Sequence, residues 1–251
     1  MMNIPAYLDR INYRGSLNAD AETLRQLHIA HLRSVPFENL SIHAREPIVL
    51  DDESLFEKII TRRRGGFCYE LNGLFAALLR ALGFEVAMLS AEVANDDGTF
   101  SEPFDHMTMM VTLDERWLVD VGFGDSFIEP LRIDERRAQI QGDRAYRIEP
   151  GEDYLVMQQK TSEVHAWKSA YRFNQKTYQY EDYLERCLFH QTSPASHFTQ
   201  NRICSVLTTN GRISVSDTRF IVTENGLRTD YPLQSSEEYR QLLSDNFGIV
   251  M

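Results

Sequence analysis

The sequence predicts an α+β fold, because helical and strand periodicities occupy different parts of the 251-residue chain. In the first third, apolar residues recur at the three- and four-residue spacing of helices that face a core. The middle third changes to short β-prone runs between turn residues, which is typical of an antiparallel sheet or barrel. The last part mixes hairpin signals with one closing helix. These changes of period predict domains at residues 1–85, 86–183 and 184–251.

Composition and charge agree with a globular protein and disfavour two kinds of partner. Hydrophobic residues make up 43% of the chain and charged residues 25%, which is ordinary for a globular domain. The net charge of −11 repels a nucleic-acid backbone and an anionic membrane surface. The one short basic run, residues 62–64, is too small to follow DNA. We therefore expect no nucleic-acid or membrane partner, and the oligomeric state is left open.

The sequence also predicts a compartment. No apolar leader follows Met1, and the most apolar stretch, residues 71–90, is interrupted by Arg80 and Glu85. Neither a secretory signal nor a membrane span is therefore expected. Three scattered cysteines are too few for a disulfide framework. We expect a cytoplasmic protein, in which a cysteine with a specific role has a reactive thiol and does not form a disulfide.

Three helices are predicted in the first third. Asn18 or Asp20 can cap the first, which ends before Pro36. The third begins just after Cys68, and Gly83 stands where a C-terminal cap glycine belongs. The apolar positions that define the three helices are Leu24, Leu27, Ile29 and Leu32, then Leu55, Phe56, Ile59 and Ile60, then Leu71, Leu74, Phe75, Leu78, Leu79 and Leu82.

Strands and hairpins follow the helices. The strand candidates are residues 86–89, 106–113, 117–121, 146–148, 154–158 and 167–173. Asn-Gly pairs at residues 210–211 and 225–226, each between β-prone runs, predict two hairpins. Ser235 with Glu238 three residues later predicts a capping box for the closing helix.

The most informative segment is residues 64–72, in which two glycines precede Cys68 at the start of a helix. Glycines let the backbone turn tightly and let another molecule approach closely. A cysteine at a helix N-terminus lies at the positive end of the dipole, which stabilises the thiolate over the thiol. Glu38 and Arg64 can form an ion pair that braces this loop, or they can be two solvated charges that contribute little. Because many cysteines are simply buried, a structural role for Cys68 stays open on this pattern alone.

Two candidate partners for Cys68 lie in the strand region. His106 heads one predicted strand, and Asp120 ends the next, where an aspartate in an apolar run is costly to bury unless it is paired. A plain hairpin across residues 114–116 places Asp120 opposite Met110 and His106 about 13 Å further along. A direct hydrogen bond between His106 and Asp120 therefore requires a bend or a different strand pairing.

Five segments of the chain match the pattern of one known family in order and spacing. They are Val-Pro-Phe-Glu-Asn-Leu at residues 35–40, Arg-Gly-Gly-Phe-Cys-Tyr-Glu-Leu-Asn at 64–72, the segment around His106, Leu-Val-Asp-Val-Gly-Phe-Gly at 118–124 and, more weakly, residues 193–201. On these segments the chain resembles the arylamine N-acetyltransferase family over nearly its whole length. The segment at 64–72 is highly specific.

The resemblance implies a fold, a triad and a reaction. The fold is an N-terminal helical bundle, a central antiparallel β-barrel and a C-terminal α/β lid, with a catalytic core similar to cysteine proteases and transglutaminases. The triad is Cys68, His106 and Asp120. The implied reaction moves an acetyl group from acetyl-coenzyme A through an acetyl-Cys68 thioester to arylamines, arylhydrazines or arylhydroxylamines.

The resemblance also implies substrate contacts. Phe37 and Phe123 resemble the aromatic residues of the family that contact the amine ring, although core packing explains such rings equally well. Gly122 and Gly124 are candidates for a close approach of coenzyme A to the backbone, although a Gly-x-Gly also marks simple turns.

Three other functions use the same residues. A transglutaminase-like or papain-like hydrolase acts on an amide without coenzyme A, and an amide synthase closes a macrolactam from a carrier-bound chain. A non-catalytic binding scaffold predicts an unreactive Cys68. The first two differ from acetyl transfer in their acyl donor, so dependence on acetyl-coenzyme A discriminates between them.

The other histidines and cysteines that we considered do not predict a metal site. His28 and His31 can share one helical face, but no third ligand accompanies them, so we expect solvated or capping roles for both. Cys187 and Cys204 lack a neighbourhood like that of Cys68, so we expect both to be packing residues.

Overall fold

The computed structural model describes residues 2–162, 164 and 166–250. The helices in these ranges are α1 (Ile4–Arg10), α2 (Ala21–Ser34), α3 (Leu40–His43), α4 (Asp52–Phe56), α5 (Cys68–Ala81), α6 (Tyr180–Thr192), α7 (His197–Gln200) and α8 (Ser236–Phe247), with a π-helical turn at Glu57–Thr61. The strands are β1 (Phe37–Glu38), β2 (Glu85–Val93), β3 (His106–Thr112), β4 (Arg116–Val119), β5 (Leu131–Arg132), β6 (Gln139–Gln141), β7 (Arg144–Pro150), β8 (Leu155–Thr161), β9 (Lys168–Phe173), β10 (Ile203–Leu207), β11 (Gly211–Ser216), β12 (Arg219–Glu224) and β13 (Leu227–Pro232).

Helix α5 is the central helix of the N-terminal core, and residues 68–79 are all buried. It begins at Cys68, where the Phe67 N–H donates to the Glu70 carboxylate at 3.1 Å. Lys58 compensates that carboxylate, because its Nζ lies 2.7 Å from Glu70 Oε1 in a buried ion pair. Gly83, with a φ of +93°, follows the end of α5 as predicted.

The second predicted helix differs from the structure. The α-helical part ends at Phe56, and the chain continues as a π-helical turn to Thr61. Lys58, Ile59 and Ile60 are all buried in this turn, and three consecutive residues cannot share one narrow face of a regular α-helix. The wider turn therefore accompanies the burial of the Lys58 side chain beside α5.

The middle of the chain forms an eight-stranded antiparallel sheet with the order β5-β4-β3-β2-β9-β8-β7-β6. Two glutamine side chains of β6 join its edges. Gln139 accepts from the Arg132 N–H at 2.8 Å and donates to the Arg132 carbonyl at 3.0 Å. Gln141 accepts from the Glu129 N–H at 3.0 Å and donates to its carbonyl at 2.8 Å. The sheet is thereby a nearly closed barrel, which confirms the predicted fold class.

The C-terminal part forms a five-stranded antiparallel sheet with the order β1-β10-β11-β12-β13. Asn225 and Gly226 join β12 to β13 with φ values of +50° and +80°, as the Asn-Gly signal predicts. Ser235 caps α8 by accepting from the Glu238 N–H at 3.1 Å. The Glu238 carboxylate, however, accepts from the Gln234 N–H rather than from the cap residue itself.

Segments far apart in sequence meet around the start of α5. Strand β1 pairs with β10, and Tyr183 and Cys187 of α6 lie in the same hydrophobic cluster as α5. The division at residues 85 and 184 stays a prediction. In the described residues, no helix combines the length and the apolar character that a membrane crossing requires.

Candidate active site

The hairpin of β3 and β4 brings His106 and Asp120 into direct contact. His106 is the first residue of β3, Asp120 directly follows β4, and both side chains are buried. His106 Nε2 lies 2.7 Å from Asp120 Oδ2. The two residues therefore form a buried histidine–carboxylate pair.

The predicted separation of about 13 Å is wrong, because the turn lies one residue earlier than expected. The register pairs Met110 with Leu118 rather than with Asp120. The pairs of this hairpin are centred on Asp114, and a one-residue shift of the centre moves each partner by two residues. Asp120 therefore lies two residues, or about 7 Å, from the position opposite His106, a span that two side chains can bridge.

Asn72 connects this pair to the helix that carries Cys68. It lies one turn after Cys68 in α5, so the two side chains share a face of the helix. Asn72 Nδ2 donates to Asp120 Oδ1 at 2.9 Å and to the Met107 carbonyl at 2.6 Å. Its Oδ1 accepts from the Val121 N–H at 2.8 Å. Sequence reasoning missed this residue, although its four-residue spacing from Cys68 was a usable signal.

Cys68, at the N-terminus of α5, is only 3% exposed. Burial raises the pKa of the Cys68 thiol well above its usual value, and the Met107 N–H, which faces the sulfur, lowers it by less. The positive end of the helix also favours the thiolate. A thiol this deeply buried needs an adjacent base to lose its proton near neutral pH.

The Asp120 side chain is an anion in this setting. Burial by itself raises the pKa of Asp120, but the contacts with His106 and Asn72 and the Gly122 N–H outweigh it, so that the pKa is lowered. The Gly122 N–H donates to Asp120 Oδ1 at 3.0 Å. A carboxylate in this position stabilises a protonated imidazole.

His28 holds the backbone of Asp120 from α2. His28 Nε2 lies 3.0 Å from the Asp120 carbonyl and 3.3 Å from its N–H, and Nδ1 lies 2.7 Å from the Ile128 carbonyl. His28 and His31 are both fully buried, so the expectation of solvated or capping roles is wrong. His31 Nδ1 and both ring nitrogens of His28 find partners about 25 to 100 residues away in sequence, which no local pattern reveals.

The loop before Cys68 is braced as expected. Arg64 Nε and Nη2 lie 3.1 and 3.0 Å from Glu38 Oε1, and the Glu38 side chain is fully buried. Gly65 lies so close to β1 that a Cβ there would stand 1.9 Å from the Pro36 carbonyl oxygen. This approach requires a glycine, because any side chain would displace the strand.

The two predicted aromatic contacts, Phe37 and Phe123, are half-buried, and Phe123 lies beside the pair. The Phe123 ring lies edge-on to His106 at a centroid distance of 5.0 Å and packs on Tyr171 at 5.0 Å. The Phe37 ring lies 6.2 Å from the Phe198 ring. Both rings keep exposed surface, and their role in substrate binding stays a prediction.

Gly122 and Gly124 differ in their surroundings. A Cβ at Gly122 would stand 2.8 Å from both Cys68 Cα and Asn72 Nδ2, so packing against α5 explains the missing side chain. Gly124 has a φ of +86°, and a Cβ there would meet Phe37 at an ordinary 4.0 Å. Contacts of either glycine with coenzyme A stay a prediction.

The remaining cysteines, Cys187 and Cys204, are free and buried, in agreement with packing roles. Across the parts of the chain that the structure describes, no group of three or more His, Cys, Asp or Glu side chains is placed to hold a metal ion.

The geometry agrees with three comparisons to known proteins. Residues 20–251 match the family model described as N-acetyltransferase. An arylamine N-acetyltransferase of Escherichia coli is 35% identical over 224 residues, which cover 88% of this chain and 79% of the relative. Proansamycin X synthase of Amycolatopsis mediterranei is 31% identical, covering 97% of this chain and 96% of the relative. The structure of Mycobacterium marinum arylamine N-acetyltransferase in complex with CoA has a TM-score of 0.90 and 31% identity, covering 98% and 93%.

Proposed function

Since the chain belongs to the arylamine N-acetyltransferase family and transfers an acetyl group from acetyl-coenzyme A to arylamines, we propose that Cys68, His106 and Asp120 carry out this transfer. The observation that carries the proposal is the buried 2.7 Å contact between His106 and Asp120. Asn72 ties that contact to the helix of Cys68. In this proposal Cys68 is the nucleophile, His106 the base and Asp120 the carboxylate that orients it.

The first half of the reaction forms an acetyl-enzyme. His106 accepts the thiol proton of Cys68, and the sulfur attacks the carbonyl carbon of the acetyl thioester. The bond between that carbon and the coenzyme A sulfur breaks, and the departing thiolate takes the proton back from His106. Because one thioester replaces another, the step is nearly isoenergetic and acetyl-Cys68 can accumulate.

The second half transfers the acetyl group to the amine. The amine nitrogen attacks the carbonyl carbon of acetyl-Cys68, and His106 accepts the proton that the nitrogen loses. The bond to the Cys68 sulfur breaks, and the proton on His106 returns to the thiolate. Asp120 orients the imidazole and stabilises its protonated form during both halves.

Substrate contacts are part of the same proposal. Phe37 and Phe123 would hold the aromatic ring of an arylamine, arylhydrazine or arylhydroxylamine, since both half-buried rings border the loop that follows Asp120. Coenzyme A would pass the backbone at Gly124, where an added Cβ would meet Phe37 at 4.0 Å. A reducing cytoplasm suits a mechanism that depends on a free thiol.

Intact-protein mass spectrometry tests the proposal. Mixed with acetyl-coenzyme A alone, the wild-type protein should gain one acetyl group, and an aromatic amine should discharge it. Cys68→Ala should gain none, whereas Cys187→Ala, which changes another buried cysteine, should behave as the wild type. Absence of the increment from the wild type, with Cys68 still rapidly alkylated, would contradict acetyl transfer from acetyl-coenzyme A.

Amide synthesis, one of the alternatives that use the same residues, is a second candidate, because a relative named as a synthase, proansamycin X synthase, is similar over 97% of this chain. The same triad would then take its acyl group from a carrier-bound thioester and pass it to an amine of the same chain. A wild-type protein that accepts no acetyl group from acetyl-coenzyme A but is acylated by a pantetheine-linked thioester would favour this function.

A further inference from the structure

Two arginines share one carboxylate beside the active site. Arg144 Nη2 on β7 lies 2.9 Å from Asp125 Oδ2, and Arg212 Nε on β11 lies 3.3 Å from Asp125 Oδ1. Arg212 Nη1 also donates to Ser205 Oγ at 3.1 Å. The cluster joins the barrel to the C-terminal sheet, and neither the triad nor the proposed ring contacts use it.

The cluster lies close to the nucleophile. Gly122 packs on Cys68, and Asp125 follows three residues later, so its Cα lies at most about 11 Å from that of Gly122. On the other side, Ser205 is the register partner of Phe37 in the β1–β10 pair. Asp125 is therefore on the loop that follows Asp120, and Ser205, which Arg212 contacts, is beside Phe37.

The charge of the cluster is unbalanced. Two guanidinium groups face one carboxylate, which leaves a local excess of one positive charge in a protein of net charge −11. The Arg212 side chain is 15% exposed and that of Arg144 30%, whereas Asp125 is 56% exposed. Burial lowers the pKa of Arg212 despite the nearby carboxylate, which indicates that its charge is incompletely compensated.

From this geometry we propose that Arg144 and Arg212 form a subsite for an anionic group of the substrate, a carboxylate or a phosphate, at the mouth of the active site. A guanidinium group presents five N–H donors in a planar fork that matches both kinds of oxyanion. The contacts of Arg212 within the described ranges use Nε and Nη1, which leaves Nη2 for a ligand. Asp125 competes for the same donors and therefore weakens the subsite.

The proposal rests on the proposed function, which supplies two sources of the anion. One is a carboxylate on the aromatic amine, and the other is a phosphate of coenzyme A. Because the acyl donor leaves before the amine binds, one subsite can serve either molecule. Each source belongs to a different half of the reaction, so kinetics of the separate halves distinguishes them.

The experiment compares a charged and a neutral substrate in each half of the reaction. The amines are 4-aminobenzoate and 4-aminobenzamide, and the donors are acetyl-coenzyme A and the phosphate-free S-acetyl-N-acetylcysteamine. We expect Arg212→Met to lower kcat/KM about tenfold or more for the charged member of one pair and less than about twofold for its neutral member. Asp125→Asn should raise kcat/KM for the same charged member, because the competing carboxylate is gone.

Each outcome of this experiment either assigns the subsite to one anion or overturns the proposal. A selective loss with 4-aminobenzoate assigns the subsite to a carboxylate, and a selective loss with acetyl-coenzyme A assigns it to a phosphate. Parallel changes for charged and neutral members, or no change, would overturn the proposal. Arg219→Gln is the matched control, because Arg219 lies on the neighbouring strand β12, pairs with Asp230 at 3.1 Å and should leave every rate unchanged.

A failure of the proposed function is detected separately. If the wild-type protein forms no acetyl-enzyme, calorimetric titration of Cys68→Ala with 4-aminobenzoate and with coenzyme A still decides the subsite. Binding of either anion that is lost in the double variant with Arg212→Met supports it. Binding that is absent, or unaffected by Arg212→Met, overturns it.

Discussion

The side-chain amide of Asn72 binds the Asp120 carboxylate at 2.9 Å, one helical turn beyond Cys68. The same nitrogen donates to the carbonyl of Met107, and the amide oxygen accepts from the N–H of Val121. Each of these partners is Asp120 itself or a neighbour of His106 or Asp120 in sequence. Asn72 thereby sets the spacing between the helix of Cys68 and the strands of His106 and Asp120.

Removal of this amide should slow the acetylation of Cys68. In Asn72→Ala we expect acetyl-enzyme formation to fall about 100-fold, because a small misplacement of the base disrupts the attack geometry. The free energy of unfolding should fall by about 1–3 kcal/mol, since buried partners lose their hydrogen bonds. Rapid-quench mass spectrometry and urea denaturation measure the two effects. Asn246→Ala, which removes a single contact to the Leu242 carbonyl in α8, is the control and should leave the rate unchanged.

Alkylation of Cys68 should depend on His106. Because burial raises the pKa of Cys68, the thiol without its base should stay protonated at neutral pH. We expect iodoacetamide to label the wild-type protein once and His106→Asn about 100-fold more slowly. Cys187, whose pKa burial raises to about 12, and the buried Cys204 should stay unlabelled in both. Equal labelling rates in the two proteins would exclude His106 as the base.

Stability should fall below about pH 6.5, the ordinary pKa of histidine. Burial lowers the pKa of His28 and of His31, so the native state excludes protons that the unfolded state binds. The stabilisation is fully present above the unfolded pKa and is lost as the pH falls below it, by about 1.4 kcal/mol per pH unit for each histidine. Urea denaturation at several pH values measures the slope.

A substitution of His31 tests whether the buried histidines cause this dependence of the free energy of unfolding on pH. His31→Gln should remove about half of it, because one of the two excluded protons is gone. His197→Gln is the control, since it removes an exposed histidine and should leave the slope unchanged. A slope that is the same in the wild type and in His31→Gln would contradict the burial of a neutral His31.

The two glycines after Asp120 should respond differently to alanine. Gly122→Ala should abolish acetylation, because its Cβ would stand 2.8 Å from Cys68 Cα and would push α5 away from the strands. Gly124→Ala should cost about 1–2 kcal/mol of stability for its positive φ but keep a measurable rate, since the added Cβ meets only Phe37 at 4.0 Å. Acetylation and thermal unfolding of both variants test the difference, and equal loss in both would contradict this packing.

Local features of the fold were predictable because short-range geometry sets them. Cys68 begins α5 where the glycine pair ends, and Gly83 ends it with a left-handed φ. Asn225 and Gly226 make the turn that their preference for positive φ demands. In each case the deciding interaction lies within a few residues, so the sequence pattern contains it.

The sequence alone could not decide whether His106 and Asp120 are in contact. Both residue types were identified, but their separation depended on whether the hairpin is centred on Asp114 or one residue later. Because antiparallel partners move by two residues for each residue of shift, that small difference separates contact from a gap of about 13 Å. Turn residues alone did not determine the register.

The sequence by itself determined which residues could do chemistry, and the tertiary structure decided which of them lie in contact. The motif at residues 64–72 places Cys68 at the start of a helix through local backbone requirements, and its role as nucleophile is what the family resemblance implies. The roles of His28 behind Asp120 and of Arg212 beside Asp125 follow only from the folded chain. The physical reason is that buried polar groups take partners wherever packing brings them, and those partners are about 90 residues away in sequence.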